Sequence, residues 1–338
     1  MIALMLPLIA ATIVRLPFRF AFREPYHGDL NAAAVIFPPM KRMAFSIVFF
    51  LVPVLCTAQE ESVPAYILEV PDSVSSLLIA DTNSATLYRF GQNDSGIVNL
   101  DQRYMSIGQN GVGKQKAWDR KTPLGVYFIT EELDTSNLDA KYGVAAYPLD
   151  YPNAWDDYKE RTGNGIWLHG VDRNGARRPP RDTDGCLALP NDELLSLGDA
   201  LEPLVTPVIV ARELIWATAE EVENLRIELR IALEIWRQSL EESDLVTYLS
   251  LYANDFRHQG MDKEAWASNR LGSFDTRDIE SVNLESILLI ADPEEPGLYL
   301  SRFTQEFVTG SGPVRITKRL YWLRSNDNEW QIVAEGAG

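Results

Sequence analysis

Gly165-Ile166-Trp167-Leu168-His169-Gly170 and Thr183-Asp184-Gly185-Cys186-Leu187-Ala188-Leu189 are the two stretches that decide how this chain reads. Each is a short apolar run bounded by glycine, the pattern of a short strand entering a turn. The segment between them is polar and carries Arg173, Arg177, Arg178 and Arg181. If it folds back, a strand-borne His169 meets a turn-borne Cys186. A thiol attacks as its thiolate, so it needs a nearby base or a positive field. Histidine is the natural base near neutral pH. The peptide N–H groups around Gly185 and Cys186 are then placed to hold an oxyanion, because glycine permits close approach.

The rest of the chain makes that cysteine conspicuous. Met40-Lys41-Arg42-Met43 precedes the apolar run Ala44–Leu55, and Cys56-Thr57-Ala58 follows. A basic start, a short apolar core and small residues at the cut describe a secretory signal peptide, so residues 1–58 read as an upstream extension and signal peptide. An uncleaved anchor is the alternative, but twelve apolar residues fall short of the about 20 that span a bilayer. The segment 1–39 suggests that Met40 or Met43 is the true start. Cleavage after Ala58 implies a periplasmic protein and removes Cys56 and His27. Cys186, His169 and His258 remain. Exported proteins normally pair their cysteines or avoid them. A lone thiol there calls for a reason, and a nucleophile is one.

Composition narrows the classes. The chain has 338 residues, 46% hydrophobic and 23% charged, as in a folded globular protein. Its formal charge of −17 argues against nucleic-acid binding. With 2 Cys and 3 His and no HExxH, neither a multi-cysteine zinc site nor a disulfide framework is expected. No cofactor or metal is expected.

Residues 59–75 read as an exposed linker and lead-in. Residues 76–215 read mainly as strands, at Leu77–Ala80, Thr86–Phe90, Tyr104–Ile107, Gly125–Thr130, Gly165–His169, Cys186–Leu189 and Val205–Val210. Asn191-Asp192-Glu193 looks like a helix start. Residues 131–164 are too long for an ordinary connection, which suggests a functional lid. Their Tyr147, Tyr151 and Trp155 either cap a substrate or pin the loop. From 217 to 252 the periodicity is helical, with Val222, Leu225, Leu229, Leu233, Trp236 and Leu240 forming one stripe behind Thr218. Strand patterns return after about residue 280, at Leu298–Thr309, Val314–Arg324 and Trp330–Ala334. Helices first and antiparallel strands after describe an α+β domain over 216–338.

The His169-Gly170, Thr183 and Gly185-Cys186-Leu187 residues, with Lys121-Thr122-Pro123-Leu124-Gly125 upstream, resemble the L,D-transpeptidase (YkuD-type) catalytic domain over about residues 76–212. Asp184 stands where a His is commoner, and Ala188 where Arg or Asn is commoner. Gly-Cys-Leu-Ala-Leu-Pro-Asn is closer to the YafK-like and L,D-carboxypeptidase branch. The resemblance implies a mainly-β catalytic domain and a Cys186 thioacyl-enzyme. Attack falls on the L-centre of diaminopimelate in peptidoglycan stem peptides, in the service of wall remodelling and cell shape. It implies His169 as base, with Gly185, Asp184, Thr183 and Gly170 forming the oxyanion hole and its turn. Trp167, Tyr147, Arg173 and Arg181 are the substrate-binding candidates. Arg suits planar carboxylates, although a solvated loop, core packing for Trp167 and mere turn-shaping for Thr183 and Asp184 are the plainer readings. The acceptor is a second stem peptide, water, or a protein lysine, which would make a wall-linked lipoprotein a partner.

Trp236, Ser243-Asp244-Leu245, Tyr248, Tyr252, Asp255-Phe256 and Trp266, followed by long strands, resemble the cone-shaped SnoaL-like (nuclear transport factor-like) fold over about 228–336. The resemblance implies a pocket with His258 and Asp255 as candidate lining residues, a loop His and a helix-capping Asp being the plainer reading, and ligand, partner or homodimer contacts rather than a second chemistry. Two other readings stand beside the enzyme. One is a wall-binding scaffold with a degenerate site. The other is a sortase-like transpeptidase, which needs an Arg soon after Cys186, whereas the first is Arg212.

Overall fold

Leu77–Asp81, Pro207–Ala211 and Gly125–Phe128 are apolar at almost every position rather than at alternate ones, and every residue in them is buried. That pattern belongs to strands covered on both faces. In the computed structural model these three form the middle and one edge of a five-stranded sheet. Its order is Gly96–Tyr104, Thr86–Asn93, Leu77–Asp81, Pro207–Ala211, Gly125–Phe128. Only the Leu77–Asp81 and Pro207–Ala211 pair runs parallel. The structure describes residues 62–338 apart from 95, 173–176, 277–278 and 311. The signal-peptide reading, Cys56 and Arg173 therefore lie outside the described residues.

One face of this sheet, through Leu78, Ala80, Tyr127, Val208 and Val210, packs into a core with Leu168, Leu187 and Leu189. Those leucines come from a three-stranded sheet ordered Leu187–Ala188, Trp167–His169, Ala146–Pro148. Arg181–Thr183 pairs in parallel with Ile107–Gly108 beside it. The other face, through Leu77, Ile79, Val126, Phe128 and Ile209, packs on Leu288, Ile290, Leu300, Tyr321 and Val333. Those residues belong to the outer face of a six-stranded sheet built from Tyr252–Arg257, Trp330–Ala337, Gly312–Arg324, Leu298–Thr309, Ile279–Ala291 and Ile67–Glu69, in that order. Its inner face carries Leu289, Tyr299, Phe303, Leu320 and Trp322 against the Leu229, Leu233 and Trp236 stripe of the helix Ala219–Glu241. The two domains thus share a core through opposite faces of adjacent strand positions.

Polar contacts fasten the same junction. Arg319 pairs with Asp150, which also accepts the Phe128 N–H at 2.7 Å. Arg161, buried, bonds Asp156 at 3.1 Å and Glu294 at 2.7 Å. The Tyr158 hydroxyl donates to Asp255 at 2.7 Å.

Four expectations change here. Residues 62–69 are not an exposed linker: Ser62–Pro64 pairs with Trp216–Thr218, and Ile67–Glu69 is the sixth strand of the C-terminal sheet. Tyr66, Ile67, Leu68, Val70 and Val74 are buried, so this short apolar run is core. Residues 131–164 are not one long irregular connection. They fold into the one-turn segments Thr135–Asn137 and Ala140–Tyr142, the strand Ala146–Pro148 and the helix Ala154–Tyr158, with Tyr147, Tyr151 and Trp155 buried. The helical periodicity of 217–252 is interrupted at Ser243, whose φ is +55°, and restarts at Asp244, which accepts the Thr247 N–H. Asp255 lies in the strand Tyr252–Arg257 and bonds Tyr158, so it caps no helix.

Candidate active site

Leu168 pairs with Leu187, and His169 with Ala188, in a parallel ladder. Both leucines are fully buried in the catalytic core. Alternation then turns Trp167, His169, Ala188 and, one position earlier, Cys186 to the opposite face. The thiol and the imidazole therefore share one face of the three-stranded sheet.

The turn that presents Cys186 is stapled by Thr183. Its hydroxyl donates to the Cys186 carbonyl at 2.8 Å and accepts the Gly185 N–H at 3.1 Å. Gly185 has φ +128°, and a Cβ there would come within 2.7 Å of the Lys121 carbonyl. Only glycine fits both the dihedral and the space. One expectation is corrected by this geometry: the Gly185 amide is bonded to Thr183, so it is not a free oxyanion donor. The amides of Asp184 and Cys186 remain the candidates.

His169 is 3% exposed, and its Nδ1 lies 2.5 Å from the Gly170 carbonyl. A carbonyl can only accept, so Nδ1 carries the proton and Nε2 the lone pair. Burial pushes the imidazole pKa down to about 4, and the positive charges of Arg178 and Lys141 push the same way. Cys186 is 8% exposed, and its Sγ donates to the Gly165 carbonyl at 3.5 Å. Burial pushes its pKa up to about 11, against the Trp167 N–H and the Lys141 and Arg178 charges, which favour the thiolate. Both groups are therefore neutral at pH 7, as thiol and free base.

Gly170 lies tight against the Asn191 side chain, whose Oδ1 accepts the Val171 N–H at 3.1 Å. A Cβ on Gly170 or on Gly143 would overlap that oxygen. Asn191 thereby fixes the chain just after His169. The sequence offered Asn191 only as a helix start.

The side chains around the pair come from three segments. Tyr142 packs edge-on to His169 at 5.2 Å and against Trp167 at 4.6 Å. Trp167 is half-buried beneath it. Lys141 stands 4.0 Å from Asp184, and Arg120 stands 3.7 Å from the same carboxylate, all three largely exposed. Arg178 bonds the Asp182 and Lys141 carbonyls at 3.0 and 3.1 Å, and so ties the Ala140–Tyr142 turn to the loop before Cys186. Arg181 is exposed beside Gly111. Arg177 lies 3.5 Å over the Tyr104 ring. Tyr147 is 5% exposed in the core and its hydroxyl interacts with Glu132, so it packs the domain and does not cap a substrate. Arg120, Lys141 and Tyr142 were not singled out in the sequence. The basic pair of residues before Thr122-Pro123 was the only available signal for the first.

A separate cavity of about 670 Å³ lies at the domain junction, lined among others by Asp150, Tyr158, Arg257, His258, Arg319 and Glu335. His258 holds the Glu335 carbonyl through Nδ1 at 2.7 Å. This cavity contains neither Cys186 nor His169, so its size says nothing about the thiol site.

The strand-borne histidine, the glycine-led cysteine turn and the cone behind them define a class. Residues 75–210 match the model of the L,D-transpeptidase (YkuD) catalytic domain, and residues 228–336 match that of the Cds6 C-terminal NTF2-like domain. The chain is thus an L,D-transpeptidase-family catalytic domain followed by an NTF2-like domain. Among solved structures it is similar to the helical cell shape determining protein Pgp2 of Campylobacter jejuni. The identity is 26%, the TM-score 0.67, and the match covers 81% of this chain and 95% of that one. Bd1075 of Bdellovibrio bacteriovorus shares the fold at 24% identity and TM-score 0.68, over 82% of this chain and 98% of that one. A search of curated protein sequences gives no match.

Proposed function

We propose that the protein is an exported cysteine enzyme of the cell wall, acting on peptidoglycan stem peptides at the L-centre of diaminopimelate. The observation that carries this reading is the His169–Cys186 arrangement: one sheet face, Nδ1 held by Gly170, Nε2 left as base. Because both groups rest neutral, proton transfer accompanies attack. As Sγ bonds the carbonyl carbon, His169 Nε2 takes the thiol proton. The amides of Asp184 and Cys186 receive the developing oxyanion. Collapse breaks the amide bond, the imidazolium protonates the departing D-alanine amine, and a thioester remains. Water then yields a shortened peptide, while an amine yields a cross-link or a tethered protein. Similarity to a cell shape determining protein supports placing this chemistry in wall shaping.

The test uses residues 59–338 with disaccharide-tetrapeptides and mass-spectrometric product analysis, with Cys186→Ala as control. Loss of D-alanine identifies a carboxypeptidase, and linked dimers identify a transpeptidase. Absence of any Cys186-dependent product from muropeptides or from lipoprotein-bearing sacculi defeats the enzyme reading. The deep burial of the thiol, with its proton on Gly165, favours a second reading, a wall-binding scaffold, which that result would select.

A further inference from the structure

Trp118 is 95% exposed, with φ +64°, at the tip of the loop Lys114–Lys121. Arg120, two residues on, also has positive φ, +56°. Two non-glycine residues in that region carry a cost. The loop is built to hold them. The Asp119 carboxylate accepts the N–H groups of Gln115, Lys116 and Lys121 at 2.9, 3.2 and 3.1 Å, and the Lys114 ammonium at 2.8 Å. Lys114 is only 3% exposed. The Asn110 side chain donates to the Asp119 carbonyl at 2.8 Å. Thr162 clamps the far side, accepting the Ala117 N–H at 3.3 Å and donating its own N–H to Gln115 at 3.1 Å. A lone exposed apolar side chain on a surface is ordinary. An indole held out in water by a buried lysine, a four-partner carboxylate and two left-handed residues is a preformed feature.

The loop also borders the thiol site. The Lys121 carbonyl closes on Gly185, and Arg120 faces Asp184. Trp118 is three residues from Lys121, so its Cα lies within about 11 Å of that wall. Arg120, Lys141 and Arg178 near the thiol are suited to the carboxylates of a stem peptide. The indole offers something different, a flat apolar face with one N–H at its edge. The C–H face of a pyranose matches the first, and its hydroxyls match the second.

We propose that Trp118 is a sugar-stacking platform that takes the glycan part of the substrate and makes the site prefer stem peptides still attached to their disaccharide. This rests on the peptidoglycan reading above. The test compares Cys186→Ala protein with its Trp118→Ala and Trp118→Phe derivatives by calorimetric titration. The two ligands are N-acetylglucosaminyl-N-acetylmuramoyl tetrapeptide and the free tetrapeptide. Trp118→Ala is expected to weaken the disaccharide ligand about tenfold, the scale of one aromatic stacking contact, with the free peptide unchanged and Phe retaining most of the affinity. Equal weakening of both ligands, no change in either, or no binding of the disaccharide ligand to the parent overturns the proposal. No change in either would point to a protein partner for the indole. Turnover by the wild type, measured separately, judges the proposed chemistry whatever Trp118 does. An unchanged thermal midpoint for Trp118→Ala shows that the fold is intact.

Discussion

Cys186 and His169 illustrate how burial sets the chemistry of a pair. With the thiol near 11 and the imidazole near 4, a resting thiolate–imidazolium pair is disfavoured. Alkylation of Cys186 by iodoacetamide, followed by mass spectrometry, is therefore expected to keep accelerating above pH 9. A plateau below pH 7 would instead reveal an ion pair. Gly185 gives a second expectation. Gly185→Ala puts a methyl against the Lys121 carbonyl in a left-handed conformation, so turnover should fall at least tenfold while the bulk fold survives in circular dichroism. The pair itself was legible from spacing and residue type. What escaped was everything contributed from a distance. Lys141 and Tyr142 reach the site only because the chain from 131 to 164 folds into the domain, and no local pattern announces that.

At the level of elements, termini read better than interiors. Thr218 and Glu221 form the reciprocal cap expected of Thr-x-x-Glu, with Thr218 Oγ1 accepting the Glu221 N–H at 3.2 Å. Thr218→Ala is expected to cost about 1 kcal/mol, read from the urea midpoint at constant slope. The strand Tyr252–Arg257 and the helix Lys263–Thr276 were not separated in the sequence. Both are short on pattern: the strand mixes buried and exposed positions irregularly, and the helix contributes only Trp266 to the largest fully buried side chains. The strand Ile67–Glu69 was missed for a related reason. Three residues carry too little periodicity to distinguish an edge strand from a lead-in, and its partner lies almost at the other end of the chain.

Across the whole molecule the two domains titrate as well as pack together. Burial pushes Asp292 up to about 6, against the Glu294 and Glu295 N–H groups that favour its charge. A carboxyl whose pKa is raised by folding destabilises the native state where it must be ionised, above about pH 6, and ceases to do so near pH 4. Asp292→Asn keeps an oxygen for both N–H bonds and removes the charge. It is expected to raise stability by about 1 kcal/mol at pH 7.5, with the gain vanishing near pH 4. Denaturant curves at the two pH values decide it, and a loss at pH 7.5 would mean that the Arg161 attraction outweighs desolvation. The shared core was not foreseeable from either domain alone. Continuous burial of Leu77–Asp81 said only that something covers its second face, and the coverer proved to be Leu288, Ile290 and Val333.

Ile67–Glu69 closes an edge of a sheet whose other five strands are the last to be made. As the chain grows from its N-terminus, these residues are made long before their partners Leu289 and Ile290 and wait unpaired for most of synthesis. The second face of the catalytic sheet waits with them, since its cover also comes late. The six-stranded sheet is complete only once its final strand, Trp330–Ala337, has been made. That order of assembly suits the export proposed above, because a chain that crosses a membrane unfolded gains time from it.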